Sequence, residues 1–409
     1  GSILTDAALA IMKRISMADA DGLRAADYKL PNPEILGPSQ GTADAVADAE
    51  IILSLAVLTY TRNARIGRIQ PDRVSALITL DPQAPDRLEV LTGLYRSRHP
   101  AALIANYNPS HEEFTRLRDL LAEMRGDTPG SAGLKPLRPG LALRSGVRGE
   151  QVTLLRRHLG HPDPAIDADL FDAELLIAVK TFQGANGLLP DGIVGPRTRK
   201  AINGPTPVNQ EKAVLVNMEQ WRWMPEDLGA FHVRVNIPEF RLRVVRRGQV
   251  MHQTRVIVGK PHQKTPVFSD EMEHVIVNPY WNVPLSIKRN EMLPSLLANP
   301  TGFTARHNYE VVYRGRPVPA SSVNWYSVNL RAVNIRQRPG PRNALGRVKF
   351  MFPNQHSVYL HDTPTKSLFT QDIRAFSHGC IRVQNPMGFA DAILDNEPNL
   401  DVNDLKALE

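Results

Sequence analysis

One short segment near the C-terminus, Phe376–Val383, contains residue types that together can perform nucleophilic chemistry. It holds Cys380, the only cysteine in 409 residues, with His378 two positions before it and Arg382 two positions after it. A cysteine attacks as its thiolate, and neighbouring cationic groups favour that form by lowering the pKa of the thiol. Gly379 permits backbone conformations that other residues avoid and leaves room for a substrate. The segment is therefore a candidate nucleophile site, and a small buried hydrophobic cysteine is the alternative interpretation.

A second histidine, His361, ends the predicted strand Ser357–His361, 19 residues before Cys380. A strand end holds a side chain rigidly, and a general base has to lie within hydrogen-bond reach of the thiol. The alternative is a zinc site formed by His361, His378 and Cys380, but the one-residue spacing between the last two is unusual and no fourth ligand is apparent. We therefore predict neither a metal nor a cofactor.

The composition is that of a soluble globular protein with two or three domains. Hydrophobic residues make up 42% of the chain and charged residues 22%, and residues 1–60 contain no apolar run long enough to span a membrane. The formal net charge of +7 favours anionic partners. Zinc-finger spacings and RNP-type motifs are missing, so nucleic acid is not the predicted partner. Gly1-Ser2 is typical of a cleaved tag, and a native signal peptide is therefore expected to have been removed.

The first part of the chain, residues 1–125, is predicted to be a helical scaffold domain. Apolar residues recur at helical spacing in Ala45–Tyr60 and again between Phe114 and Met124, where Asn108–Ser110 is the predicted cap. No catalytic constellation is visible in this region. Residues 126–142 follow as a predicted linker, with four glycines and three prolines in 17 positions.

A compact unit of three short helices with glycine turns is predicted for residues 143–203, close to the smallest size that forms a stable core. It resembles the peptidoglycan-binding domain of cell-wall enzymes in Ser145–Gly149, Val152 and Leu155, Phe182-Gln183 and Asp191–Thr198. The resemblance implies glycan binding, although Pro162–Pro164 stands where the family usually has an Asp-Gly turn. A spacer that has lost binding is the alternative.

Residues 210–409 are predicted to form a mainly β domain. After a helix at Gln210–Trp223, apolar and polar residues alternate with the period of a half-buried strand, as in Phe231–Ile237. Runs of strands with few helices between them indicate an antiparallel sandwich or barrel. The alternation breaks down over residues 284–346, which are predicted to be an insertion acting as a lid. Ile287–Leu297 is predicted to be a helix, and the remainder to be loop-like with short strands such as Tyr309–Tyr313. The whole chain is thus predicted to be a multidomain α+β protein.

The charge of the predicted lid is lopsided. From Thr301 to His361 there are nine Arg and Lys residues and one acid, Glu310. Such a patch needs an anionic neighbour, which a carboxylate-bearing substrate would supply. A solvated loop or an interface with another domain is the alternative.

His361-Asp362-Thr363 followed by Ser377–Arg382 resembles the signature of the L,D-transpeptidase catalytic domain of the YkuD type. Supporting segments are Asn217–Trp223, Val235–Pro238, Thr265–Ser269 and Asn278–Pro284. With the upstream peptidoglycan-binding unit and the long insertion, the chain resembles the large periplasmic enzymes of this family from Gram-negative bacteria.

The resemblance implies a role for each residue of the signature. Cys380 would be the nucleophile, and His361, rather than His378, its general base. His378 would shape the site by hydrogen bonding, and Arg382 would orient the loop or face a substrate carboxylate. Backbone N–H groups around Gly379 and Cys380 would hold the oxyanion. Further candidate substrate contacts are Tyr280, Trp281, Ser377 and Tyr359.

The implied reaction is a peptidoglycan cross-linking through a Cys380 thioester, in which a tetrapeptide stem loses its terminal D-Ala and a second stem supplies an amine to give a 3→3 link. With water as acceptor the protein would be an L,D-carboxypeptidase, and with a protein amine it would attach outer-membrane proteins to the wall. A non-catalytic wall anchor is the alternative from another class. The expected partners are stem peptides and glycan, the expected location is the periplasm, and no oligomeric state is predicted.

Overall fold

The computed structural model describes residues 4–32, 42–126, 135–161, 167–204 and 207–395. Its contacts divide the chain into two compact units, Gly1–Asp227 and Leu228–Glu409. Helices in the first and large sheets in the second confirm the predicted multidomain α+β class. Residues 127–134 of the predicted linker and the predicted Pro162–Pro164 departure lie outside the described residues. No helix in the described ranges is both long and apolar enough to cross a bilayer.

The described part of the N-terminal unit is built mainly from helices. Their bounds are α1 Asp6–Ser16, α2 Ala43–Ile66, α3 Pro71–Val74, α4 Arg87–Arg96, α5 Pro100–Ala105, α6 Glu112–Arg125, α7 Glu150–His158, α8 Ala173–Ala185, α9 Pro196–Asn203 and α10 Pro207–Trp221. Short 3₁₀ turns occupy Ala18–Asp21 and Ala25–Asp27.

Two of the predicted helices show how local sequence sets the boundaries. The segment Ala45–Tyr60 lies inside α2, which begins earlier because the Thr42 hydroxyl accepts the Ala45 N–H as a cap. The predicted cap Asn108–Ser110 of α6 was wrong, because α6 begins after His111. Asn108 is instead a buried partner in the scaffold core, so its amide is not free to cap a helix.

Helix α10 packs on α6 and closes a small apolar cluster formed by Phe114, Leu121, Val214 and Met218. The predicted catalytic segment begins at residue 210, whereas the contacts place α10 in the N-terminal unit. The domain bounds assigned from the sequence stay a prediction.

A buried arginine, Arg222, fastens the end of this helix to the scaffold. Its guanidinium donates to the main-chain oxygens of Asp21 at 2.7 Å, Ala64 at 3.2 Å and Met218 at 3.2 Å. It also donates to Oδ1 of Asn108 at 2.9 Å. Only 1% of Arg222 is exposed, so each of these acceptors depends on the guanidinium in place of water.

We therefore expect Arg222→Met to lower the free energy of unfolding of the N-terminal unit by about 3 kcal/mol or more, because several buried acceptors lose their donor. The change is measured by urea titration. At each urea concentration a brief deuterium pulse labels the protein, and the deuterium uptake of peptides from residues 4–126 reports how much of this region is unfolded. The matched control is Arg116→Met, since Arg116 makes an exposed ion pair with Glu112. That variant should change the same free energy by less than about 1 kcal/mol. Equal losses in the two variants would contradict the anchoring role of Arg222.

The peptidoglycan-binding-like segment has its own core within the N-terminal unit. Its fully buried members include Val152, Leu155, Phe171 and Val179. The side chain of Gln183 accepts the Gly192 N–H at 2.8 Å and donates to Asp191 at 2.9 Å. Gly192 has a φ of +77°, which side chains rarely adopt. The Asp-Gly turn is thereby fixed by one buried amide.

The C-terminal unit contains two sheets. The strands are β1 Phe231–Asn236, β2 Arg241–Arg246, β3 Gln249–Gly259, β4 His274–Val277, β5 Trp281–Asn282, β6 Tyr309–Tyr313, β7 Arg316–Val318, β8 Val333–Gln337, β9 Val348–Met351, β10 Leu360–His361, β11 Ala375–Ser377 and β12 Ile381–Val383. The larger sheet has the order β1-β2-β3-β12-β10-β9-β4, with β11 beside β3. Within it, β10 pairs with β12 and β11 with β3 in parallel, and the other pairs are antiparallel.

One face of the larger sheet forms the core of this unit. The helix α14, Pro386–Leu394, packs there, with Phe389 4.6 Å from the ring centroid of Phe350. Asn385 caps α14 by accepting the Gly388 N–H. The predicted strand Ser357–His361 is shorter than expected, because the Asn354 side chain binds both main-chain groups of Val358 and holds that stretch in a turn.

Within the predicted insertion, residues 284–346, the helix Ile287–Leu297 and the strand Tyr309–Tyr313 are confirmed, but the loop-like character predicted for the remainder was wrong. This insertion contains most of the second sheet, which has the order β5-β8-β6-β7, and its own apolar core around Leu296, Val311, Trp325 and Ile335. Its helices are α11 Leu285–Ile287, a π-helical turn Lys288–Met292, α12 Leu293–Ala298 and α13 Pro300–Arg306. Because the insertion has an apolar core of its own, it is a small folded subdomain.

Candidate active site

Three charged or titratable side chains form one row across the larger sheet. His361 on β10 is the direct partner of Lys349 on β9 and of Arg382 on β12. Directly paired residues project from the same face of a sheet, and their chain neighbours project from the other. The neighbours lie in the apolar core and are Val348, Phe350, Leu360, Ile381 and Val383. Lys349, His361 and Arg382, hereafter the charged row, therefore occupy the face opposite the core.

Cys380 directly precedes β12 and lies beside the charged row. Burial raises the pKa of the Cys380 thiol, while hydrogen bonds from the main chain and side chain of Tyr359 and the charges of Lys349 and Arg382 lower it. Burial also raises the pKa of the Tyr359 phenol, as does the neighbouring Cys380, against a hydrogen bond with Trp281. The thiol therefore rests in its neutral form, with donors and cations arranged around it.

His361 is buried and held as a neutral imidazole. Its Nδ1 bonds to the carbonyl oxygen of Asp362, which can only accept, so Nδ1 carries the proton and Nε2 is unprotonated in the neutral ring. Burial lowers the pKa of His361 to about 3, helped by the positive charges of Arg382 and Lys349 and opposed by Asp362. A neutral ring with an unprotonated Nε2 is the form that a general base requires.

A tight turn, Ser377–Cys380, carries the thiol. Gly379 has a φ of +118°, which strongly favours glycine. The buried Ser377 hydroxyl accepts the Gly379 N–H at 3.1 Å and donates to the carbonyl of Cys380. Thr265 donates to the Gly379 carbonyl at 2.8 Å. The Gly379 N–H, predicted from the resemblance to hold an oxyanion, is thus already bonded within the turn.

His378 points away from the row toward the insertion. Its Nε2 lies 2.7 Å from Oε1 of Glu291, which is on the π-helical turn Lys288–Met292. The contact joins the nucleophile turn to the folded insertion. The role of His378 in shaping the site stays a prediction.

The remaining predicted residues separate into two groups. Tyr359 hydrogen-bonds the thiol, and Trp281 hydrogen-bonds Tyr359. Tyr280 is 45% exposed, and its ring lies under the guanidinium of Arg336 at 4.7 Å, within the second sheet. In the described part of the chain, no group accepts a hydrogen bond from the buried Nε of Arg382.

Lys349, Glu291 and Thr265 were not among the predicted site residues. The sequence of β9 carried a usable signal for one of them, because Lys349 alternates with the apolar Val348 and Phe350. Glu291 and Thr265 carried no such signal, since their partners lie far away in the chain.

Comparison with known proteins agrees with this geometry. Residues 230–398 match the family profile described as the L,D-transpeptidase catalytic domain, YkuD. The C-terminal part of the chain therefore carries a domain that matches the YkuD family. Upstream, residues 1–121 match a scaffold domain and residues 148–202 a peptidoglycan binding domain.

A curated Haemophilus influenzae protein with a provisional L,D-transpeptidase name is 36% identical over 190 residues. The match spans 46% of this chain and 38% of that relative, so most of the relative is not covered.

Two solved structures are also similar. The first is an L,D-transpeptidase from Xylanimonas cellulosilytica, 17% identical over 64% of this chain and 94% of that one, with a TM-score of 0.17. The second is the Ldtfm–avibactam carbamoyl enzyme, 14% identical over 43% and 53% of the two chains, with a TM-score of 0.19.

In the L,D-transpeptidase domain, Ser377→Ala should loosen the nucleophile turn, because the Gly379 N–H and the Cys380 carbonyl both lose their partner. We expect local opening to become easier by about 1–3 kcal/mol. Hydrogen exchange of peptides covering residues 375–385 measures it. Ser367→Ala, at an exposed position of the same domain, is the control and should leave exchange there unchanged. Wild-type protection in Ser377→Ala would contradict the bracing role.

The low pKa of His361 predicts a specific pH dependence of stability. Between the unperturbed value of 6.5 and about 3, the unfolded histidine binds a proton that the folded one does not. The stability that His361 contributes is therefore present above pH 6.5 and is lost as pH falls toward 3, by at most about 1.4 kcal/mol per pH unit.

Urea titrations at pH 7, 6, 5 and 4, read from peptides of residues 230–395, should show wild type losing stability faster than His361→Gln as pH falls. The difference between the two proteins isolates the histidine from other titrating groups. Parallel pH profiles for the two proteins would show that His361 titrates normally.

Proposed function

We propose that the protein is a peptidoglycan L,D-transpeptidase that uses Cys380 as its nucleophile. The observation that carries the proposal is that this thiol contacts Tyr359 and lies near the charges of Lys349 and Arg382, the two cations that flank the neutral His361 in the charged row, within a domain of the YkuD family. The donor substrate is a tetrapeptide stem, and its scissile bond joins the third residue, a diamino acid, to the terminal D-Ala.

In the first half of the reaction, the Cys380 sulfur attacks the carbonyl carbon of that bond. The raised pKa of the thiol and the lowered pKa of His361 both disfavour a resting thiolate–imidazolium pair. The proton therefore moves to Nε2 of His361 as the sulfur–carbon bond forms. The carbon–nitrogen bond then breaks, the nitrogen takes the proton, and D-Ala leaves behind a thioester.

The tetrahedral intermediate needs donors aimed at its oxyanion. Because the Gly379 N–H is bonded to Ser377, we assign this task to the Cys380 N–H and the Tyr359 hydroxyl. The raised pKa of Tyr359 keeps its proton on, so the phenol can donate. Trp281 supports this arrangement through its hydrogen bond with Tyr359.

In the second half, the side-chain amine of another stem attacks the thioester. The new amide is the 3→3 cross-link, and the thiol regains its proton. Arg382 presents an unpaired buried Nε on the site face and is the proposed partner of a stem carboxylate.

The folded insertion favours an amine over water as the acceptor. A lid that excludes water protects a thioester from hydrolysis. The insertion has its own core and contacts the nucleophile turn through Glu291 and His378, as such a lid requires. Hydrolysis to a tripeptide and transfer to a protein amine, such as that of an outer-membrane protein, are the alternative outcomes at the same site.

The same proposal covers partners and location. The binding-domain match at residues 148–202 supports contact with peptidoglycan before catalysis. Peptidoglycan stems carry carboxylates, which fit the net charge of +7. A substrate of this kind places the protein outside the cytoplasm, in the periplasm of a Gram-negative cell.

The test is incubation of the protein with purified tetrapeptide muropeptides, followed by mass spectrometry. Wild type and the control Ser367→Ala should form the cross-linked dimer and release D-Ala, while Cys380→Ala should lose at least about 1,000-fold in rate because no thioester can form. A tripeptide monomer as the only product would overturn the choice of acceptor. Unchanged products with Cys380→Ala would overturn the nucleophile.

One further measurement distinguishes the proposed enzyme from a non-catalytic wall anchor. Cys380→Ala should still sediment with purified sacculi, because the proposed binding segment lies in the other unit. Binding without any chemistry in wild type would support the anchor instead.

A further inference from the structure

Lys349 is a cation of the active-site face whose charge is not neutralised by an acid. It is half-buried, and within the described ranges no carboxylate lies within ion-pair distance of its ammonium group. Its Nζ lies 3.8 Å from the ring centroid of Tyr359. The nearby Lys366 shows the contrast, since it is paired with Asp362 and with the carbonyl of Gln384. Lys349 has no such local role in holding a loop.

The groups around Lys349 are those of the proposed reaction. On β10 and the segment before it lie His361 and Tyr359, and on β12 and the turn before it lie Arg382 and Cys380. Burial lowers the pKa of Lys349, and the charge of an ionised Cys380 raises it. A desolvated ammonium is costly unless a negative charge forms beside it. Of these neighbours, the sulfur is the one that acquires such a charge during attack.

We propose that the Lys349 ammonium stabilises the negative charge that develops on the Cys380 sulfur when the thiol loses its proton. The proposal deepens the proposed function, on which its kinetic consequence rests. The ammonium acts from the sheet face beside the thiol and needs no bond to the substrate. The Tyr359 ring beneath it fixes its position by a cation–π contact.

The same charge has a second consequence for the proton that His361 accepts. An imidazolium formed between Lys349 and Arg382 stands between two cations, so it is a strong acid. The proton is therefore passed on readily to the departing amine of D-Ala. Lys349 thus favours both the thiolate on one side of the transfer and the release of the proton on the other.

The rate of iodoacetamide alkylation of Cys380, measured against pH, tests the proposal without any peptidoglycan. Cys380 is the only cysteine, so intact mass reports this thiol alone. The midpoint of the rate profile gives the pH at which the thiolate forms. In Lys349→Met the midpoint should rise by roughly one pH unit or more, the usual effect of one opposite charge at close range.

Two further variants serve as controls. Lys349→Arg keeps the charge and should stay within a few tenths of a pH unit of wild type, a rescue that a purely structural role would not give. Arg316→Met removes one exposed positive charge from β7 in the insertion and should leave the midpoint unchanged. If Lys349→Met does not fold, as judged by circular dichroism, Lys349→Gln replaces it with the same expectation.

A midpoint in Lys349→Met or Lys349→Gln equal to that of wild type would overturn the proposal. So would an equal rise in Lys349→Arg, since the charge would then be irrelevant. This test and the test of the proposed function can fail separately. If Lys349→Met shifts the midpoint but wild type forms no cross-link, the role of the Lys349 ammonium is supported and the proposed reaction is refuted. If wild type forms the cross-link but the midpoint does not shift, the proposed reaction is supported and the role of the ammonium is refuted.

Discussion

The site depends on the two-residue alternation of three short strands. In β9, β10 and β12, every second side chain enters the apolar core, and the residue between projects to the opposite face. Burial of Phe350 and Leu360 thereby fixes the register that brings Lys349, His361 and Arg382 into one row. A shift of the strand register by one residue would bury these three charged or titratable groups and expose the apolar residues of the core. Packing of the core therefore determines which side chains face the active site.

The charged row explains why the histidine acts as a base rather than resting as an acid. Two cations and complete burial keep His361 neutral, while the Asp362 carbonyl orders its tautomer. The thiol is neutral as well, because burial outweighs the donors around it. Charge therefore appears only as the substrate is attacked, when fixed donors and cations are already in place, and this avoids reorganisation during the reaction.

In each unit, buried or half-buried polar side chains hold main-chain segments in position. Ser377 and Thr265 bind three main-chain groups of the nucleophile turn, and the His378–Glu291 contact joins that turn to an insertion with its own core. In the other unit, Arg222 joins α10 to the scaffold through buried carbonyls. In each case a polar side chain satisfies backbone groups that water cannot reach.

The sequence by itself determined the α+β class, most of the strands and helices, and the segments that carry Cys380 and His361, because periodicity and local motifs need only neighbouring residues. The alternation of apolar and polar residues in Val348–Phe352 also indicates that Lys349 projects away from the core. Only the tertiary structure decided that Lys349, Tyr359 and Glu291 meet the nucleophile turn, that Gly379 donates within it, and that the insertion folds around a private core. These contacts join residues far apart in the chain, and strand pairing and burial, which local pattern does not encode, bring them together.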